Sequence, residues 1–133
     1  MSMPETFITP GAGQKLFDAL HMAQALKIGD RVETSGQGGW DDELTIPEAI
    51  EEEIEQAFRN IERVLAPAGA TWKDVVHVNS YHVGGFPAEV NSTIARLFRH
   101  HMPDRPPVWT QTGVQALGLP AMRVEIRVTA ILT

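Results

Sequence analysis

Apolar residues recur along this chain with two periods, one near 3.6 and one of two, and the changes between them lay out its elements. The clearest helical stripe is Ile50, Ile54, Phe58, Ile61 and Leu65, widened by Ala57 and Val64. Thr45 with Glu48 makes a capping-box pattern ahead of it, Pro47 suits a first turn, and Glu51, Glu52 and Glu53 suit the positive end of a helix dipole. Pro67 and Gly69 end it. The glutamate run reads as a solvated face, because the opposite stripe is plainly core. A second helix is predicted over 88–101, with Val90, Ile94, Leu97 and Phe98 turned inward. Strands are predicted over 5–9, 22–27, 31–35, 75–83, 106–117 and 122–132. Pro10 closes the first, and Gly11-Ala12-Gly13 breaks the chain after it. Ile28-Gly29-Asp30 turns between the second and third, and Gly84-Gly85 ends the fourth.

The predicted order is therefore β-β-β-α-β-α-β-β. Both helices should cover one face of a mixed sheet, which is an α+β layer pair in a single domain over 1–133. In the last strand Val124, Ile126, Val128 and Ala130 alternate with Arg123, Glu125, Arg127 and Thr129. The second set is too polar to lie under a helix, so that face must meet water, a ligand or another subunit. The open side of the sheet is a candidate oligomer surface.

Composition narrows the function classes. With 43% hydrophobic and 21% charged residues in 133, the chain is ordinary globular protein able to bury a core. A formal net charge of −6 repels phosphate backbones, so nucleic-acid binding is disfavoured. Absence of cysteine excludes disulfides, thiol catalysis and cysteine-held metals, and fits a reducing compartment. The first residues lack the pattern of a secretory signal, and no run approaches the roughly 20 apolar residues of a membrane span. A cytoplasmic protein is the expectation.

Candidate chemistry centres on two residues. Arg105, in Pro103-Asp104-Arg105-Pro106-Pro107, offers a planar fork that can hold a carboxylate through two parallel hydrogen bonds. Glu125, on a strand expected nearby, could position a water or carry a proton. The competing reading is a structural ion pair of Glu125 with Arg105, Arg123 or Arg127. The five histidines lack metal-ligand spacing, and His77 and His82 have opposite parity on one strand. Gly36, Gly38 and Gly39 match no phosphate-binding motif.

Short pieces now align with a known pattern. They are Ala23-Gln24-Ala25, Gly29-Asp30, Thr34-Ser35-Gly36-Gln37, Gln56-Ala57-Phe58-Arg59-Asn60-Ile61, Ala68-Gly69, Val90-Asn91, Pro103-Asp104-Arg105, Leu119-Pro120 and Val124-Glu125-Ile126. In order and spacing the chain resembles the RidA/YjgF family, also called endoribonuclease L-PSP, from about residue 20 to 132. The resemblance implies a chorismate-mutase-like fold in a homotrimer, with sheets inside, helices outside and ligand clefts between subunits. It further implies cofactor-free hydrolysis of reactive enamines and imines, such as 2-aminoacrylate, to 2-keto acids and ammonium, with no metal. By the same resemblance Arg105 is the carboxylate-binding arginine, Glu125 the water-positioning acid, and Ser35 and Gly36 the turn lining the pocket. Met22 stands where many members carry Tyr. Pro106 and Pro107 stand where Ser and Cys are usual, which removes two backbone donors from the pocket floor. Trp40 and Trp109 are expected to add aromatic bulk there. A non-catalytic trimeric binder of small keto acids is the alternative function, and an endoribonuclease a weaker third.

Overall fold

The strand at the C-terminus of the chain lies in the middle of the sheet, and this placement builds the site. The structure is a computed structural model that describes residues 3–133. Its strands are β1 (Glu5–Phe7), β2 (Ala25–Ile28), β3 (Arg31–Thr34), β4 (Val75–His82), β5 (Val108–Gly113) and β6 (Val124–Ile131). Its helices are α1 (Ala12–Leu20), α2 (Ile50–Leu65) and α3 (Ala88–His101). The strands form one sheet in the order β1-β2-β3-β6-β4-β5. Neighbours are antiparallel except β4 and β5, which run parallel and are connected through α3.

Both predicted helices cover the same face. Ile54, Phe58, Ile61 and Leu65 of α2 and Val90, Ile94 and Leu97 of α3 are buried against Val32, Val78, Val124, Ile126 and Val128 of the sheet. Each such side chain contributes about 1.5–3 kcal/mol on full burial, so this layer contact is the main source of stability. The opposite face carries Glu33, Asn79, Tyr81, Glu125, Arg127 and Thr110, and no helix of the described residues covers it. The alternation predicted for β6 is observed from Val124 to Val128, whereas Thr129 is buried as well, beside Glu33.

Four expectations are corrected. The stretch after Pro10 is no break but α1, which the sequence reading omitted. Gly13 lies inside that helix because it meets Gln24 closely: a Cβ there would stand 2.6 Å from Gln24 Oε1. Gln24 in turn accepts from Thr9 N at 2.8 Å and donates to Gly13 O at 3.0 Å. The second correction concerns the capping box. Helix α2 starts at Ile50 with Ala49 as an N-cap that makes no side-chain bond, and Thr45 belongs to a loop closed on Asp41. Third, Glu51 and Glu52 are exposed but Glu53 is fully buried. Fourth, β5 spans only Val108–Gly113, because Pro106 and Pro107 have no N–H for the ladder.

Candidate active site

Glu125 occupies the centre of the open sheet face. It stands opposite Tyr81 of β4, and the loop after β3 closes over its other side. That loop is pinned to β6 by Gln37 N to Ile126 O at 2.7 Å and Ile126 N to Gln37 O at 2.9 Å. The pinning brings Gly36 against the Glu125 carboxyl. A Cβ on Gly36 would lie 2.5 Å from Glu125 Cδ and 2.7 Å from Oε2. Glycine is required here by proximity alone, since its φ lies outside the left-handed region.

Glu125 has no hydrogen-bond or ion-pair partner among the described residues. The arginines that could have held it are engaged elsewhere: Arg105 Nη2 donates to Lys73 O at 3.1 Å, Arg123 pairs with Glu53, and Arg127 pairs with Glu33. Burial without compensation pushes its carboxyl above the usual carboxylate range. A partly desolvated acid with no structural partner is what general acid–base work requires. Glu33, on the same face, shows the opposite behaviour. Desolvation raises it, but hydrogen bonds from Thr129 and Arg31 and the charge of Arg127 together hold it below the ordinary range.

Ser35 serves the frame. Its Oγ donates to Ala23 O at 2.6 Å and its N to Gln24 O at 2.9 Å, which ties the end of β3 to the segment entering β2. Met22, next to Ala23, is half-buried against the small cluster of Ala12, Leu16, Trp40 and Met122.

Arg105 is placed elsewhere. It is exposed on the loop after α3, beside a cavity of about 90 Å³ lined by Lys73, Met102, Pro103 and Asp104. Lys73 precedes β4, and Tyr81 is the last residue but one of that strand. The eight-residue strand thus separates Arg105 from Glu125 by on the order of 20 Å at about 3.3 Å per residue. The expectation that Glu125 lies near Arg105 is therefore corrected within one chain: the parallel register of β5 carries the arginine to the far end of β4. Pro106 and Pro107 line a different groove, of about 540 Å³, with Phe98, Arg99 and Trp109 on the helix side. Trp109 packs edge-on against Phe98 and donates to Ser80 Oγ at 2.9 Å, and Trp40 is buried beside Met122. Neither tryptophan reaches Glu125 as bulk.

Sequence reasoning missed Glu53 and Tyr81. Register, which no local pattern reports, selects Tyr81; the buried end of the glutamate run hides Glu53. His82, 2% exposed and bonded to Ser80 Oγ at 2.8 Å, has its pKa lowered by desolvation to about 4. It is a neutral core residue. Among the described residues no three His, Asp or Glu side chains are grouped to hold a metal ion, and no helix is long and apolar enough to cross a membrane.

Comparison with known proteins gives the family and the fold. The family model described as endoribonuclease L-PSP matches residues 14–132. The RutC family protein YjgH of Escherichia coli is 29% identical over 126 residues, covering 94% of this chain and 93% of its own. A 2-iminobutanoate/2-iminopropanoate deaminase of Dermatophagoides farinae is 36% identical over 110 residues, covering 78% and 80%. Among solved structures, yeast Mmf1 superposes with a TM-score of 0.81 at 26% identity, covering 98% of this chain and all of that one (100%). With its family model spanning nearly the whole length and its sheet and helices arranged as in these relatives, the chain belongs to the RidA/YjgF, or endoribonuclease L-PSP, family.

Proposed function

We propose that this protein hydrolyses small carboxylate-bearing enamines and imines, without a cofactor, to 2-keto acids and ammonium. The observation that carries the reading is Glu125: a half-buried carboxyl without a partner, raised by burial and set against a glycine. An iminium carbon is already electrophilic, so the protein has only to orient the substrate and deliver water. Glu125 accepts a proton from the attacking water as the C–O bond forms. It returns that proton to nitrogen; as the C–N bond breaks, the hydroxyl oxygen forms the carbonyl and gives up its proton through Glu125 to the departing ammonia, so that keto acid and ammonium leave. The substrate carboxylate is held by a guanidinium fork, for which Arg105 is the candidate.

The separation of Arg105 from Glu125 supports a site shared between subunits, with the arginine of one chain facing the glutamate of the next. A homotrimer closed through the open sheet faces supplies that arrangement. Sedimentation at micromolar concentration should give a single trimeric species; a monomer would remove the shared site. The deaminase named among the relatives supports the reaction class. The second reading, a non-catalytic binder of keto acids, is favoured by Pro106 and Pro107, which take two amide donors from the loop bearing Arg105.

One assay separates the two readings. Imines generated in situ from amino acids are offered to the wild type and to Glu125→Gln, and keto-acid release is followed. The deaminase reading expects a loss of about 10²–10⁴-fold in rate with keto-acid binding retained. Binding without any acceleration by the wild type would leave only the carrier.

A further inference from the structure

Glu125 sits between two arginines in Arg123-Val124-Glu125-Ile126-Arg127. On a regular strand all three charged side chains share a face, with neighbours about 6.6 Å apart, which is within reach of an arginine. The local sequence would therefore neutralise its glutamate twice. The fold prevents both contacts. Arg123 precedes β6, and its side chain turns to the start of α2. There Nε donates to Glu53 Oε1 at 2.7 Å, and Nη2 donates to the carbonyls of Pro47 at 3.1 Å and Glu48 at 2.9 Å. The other oxygen of the fully buried Glu53 accepts the backbone amides of Arg123 at 2.7 Å and Val124 at 3.2 Å. On the far side, Arg127 Nη2 donates to Glu33 Oε1 at 2.6 Å, and Glu33 also holds Arg31 Nε at 2.6 Å and the Thr129 hydroxyl.

Among the described residues of the subunit, the remaining surroundings of Glu125 bring no further cation. Its neighbour on β4 is Tyr81, with His77 farther along beside Thr129. The open face of β5 offers Val108, Thr110 and Thr112, and the loop after β3 brings Ser35 and Gly36. Two glutamates from separate elements, α2 and β3, thus each take one of the two cations that the sequence places beside the third.

We infer that Glu53 and Glu33 are positioning residues for Glu125: by engaging the two flanking arginines they leave its carboxyl free for the reacting water. This rests on the acid–base role proposed above. The contacts are unequal in kind. The Glu53 carboxylate is withdrawn from water and its bonds also fix the backbone leading into β6, whereas Glu33 remains partly exposed and acts through charge and hydrogen bonding.

The test reads Glu125 directly. The full-length protein is labelled with ¹³C at its glutamate carboxyls and titrated by NMR, with the Glu125 signal assigned by its loss in Glu125→Gln. In Glu53→Gln and in Glu33→Gln the freed arginine should swing to Glu125 and lower its midpoint by about 1–3 units, the usual effect of an opposite charge within 4–6 Å. Replacing the arginine as well, in Glu53→Gln/Arg123→Met and Glu33→Gln/Arg127→Met, should restore the wild-type midpoint. An unchanged midpoint in both single variants overturns the inference, and so does a low midpoint that persists in the double variants. Should Glu53→Gln fail to fold, the Glu33 pair decides alone. Titration needs no turnover, so shifts as expected in a protein that hydrolyses no imine would refute the proposed reaction while leaving this assignment of the arginines standing.

Discussion

Gly36→Ala isolates the placement of the Glu125 carboxyl from everything else in the fold. The added Cβ would stand 2.5 Å from Glu125 Cδ and 2.7 Å from Oε2, against a normal separation of about 3.5–4.0 Å. The carboxyl must retreat by about 1 Å. The backbone needs no adjustment, because Gly36 does not adopt a left-handed φ, and restricting the unfolded chain favours alanine by about 0.4–1 kcal/mol. Moving Glu125 off its rotamer costs about 0.5–1.5 kcal/mol. The two effects oppose, so net stability should change by less than about 1 kcal/mol, a few degrees in melting temperature for a domain of this size. A 1 Å misplacement of a catalytic group costs about 10²-fold in rate. The expected result is therefore a loss of about 100-fold in imine turnover in a protein that melts almost normally. Gly118→Ala, at a position where a Cβ meets nothing within 4 Å, serves as the control and should alter neither quantity. Undiminished turnover in Gly36→Ala at an unchanged melting temperature would refute the reasoning.

Arg105→Lys should weaken binding of a keto acid such as pyruvate by about 1.5–3 kcal/mol, since lysine keeps the charge but not the planar fork; equal affinity by calorimetry would make Arg105 structural. Glu125→Gln should be more stable than the wild type at neutral pH. The folded protein binds the Glu125 proton more tightly than the unfolded chain does, so the stabilisation is complete below about pH 4 and is lost as pH rises through the folded value. The melting advantage of the variant should accordingly grow from pH 4 toward pH 8, and a constant difference would contradict the desolvation argument. His82 behaves in the opposite sense: with its folded value lowered to about 4, the stability it contributes is present above about pH 6.5 and is lost as pH falls through 4. His82→Gln should flatten acid destabilisation across that window in denaturant titrations, and an unaltered acid profile would show that another group governs it.

Local pattern determined the two long helices and the alternation of β6, and it singled out Arg105 and Glu125 as candidates. Helical period and strand period are properties of neighbouring positions, so Ile54, Phe58 and Ile61, or Val124, Ile126 and Val128, declare their face without reference to the rest of the chain. Arg105 stood out as a planar fork on a proline-stiffened segment, suited to a carboxylate, and Glu125 as an acid on the polar face of a strand expected nearby, with a structural ion pair as the competing reading. Short-range pattern failed where a residue answers to something distant in sequence. Gly13 reads as a breaker, yet it is the surface on which Gln24 rests, and α1 forms around that contact. Thr45 carries the letters of a cap, but Asp41 holds it in a loop. Glu53 looks like one more solvated glutamate until Arg123, from the other end of the chain, arrives to pair with it. The tertiary structure alone decided that Glu125 has no partner among the described residues and that Arg105 stands a strand's length away, because both depend on the register of β6 and β5 against β4. Register is set by burying one whole face of the sheet at once, and that choice belongs to the assembled layers rather than to any segment of them.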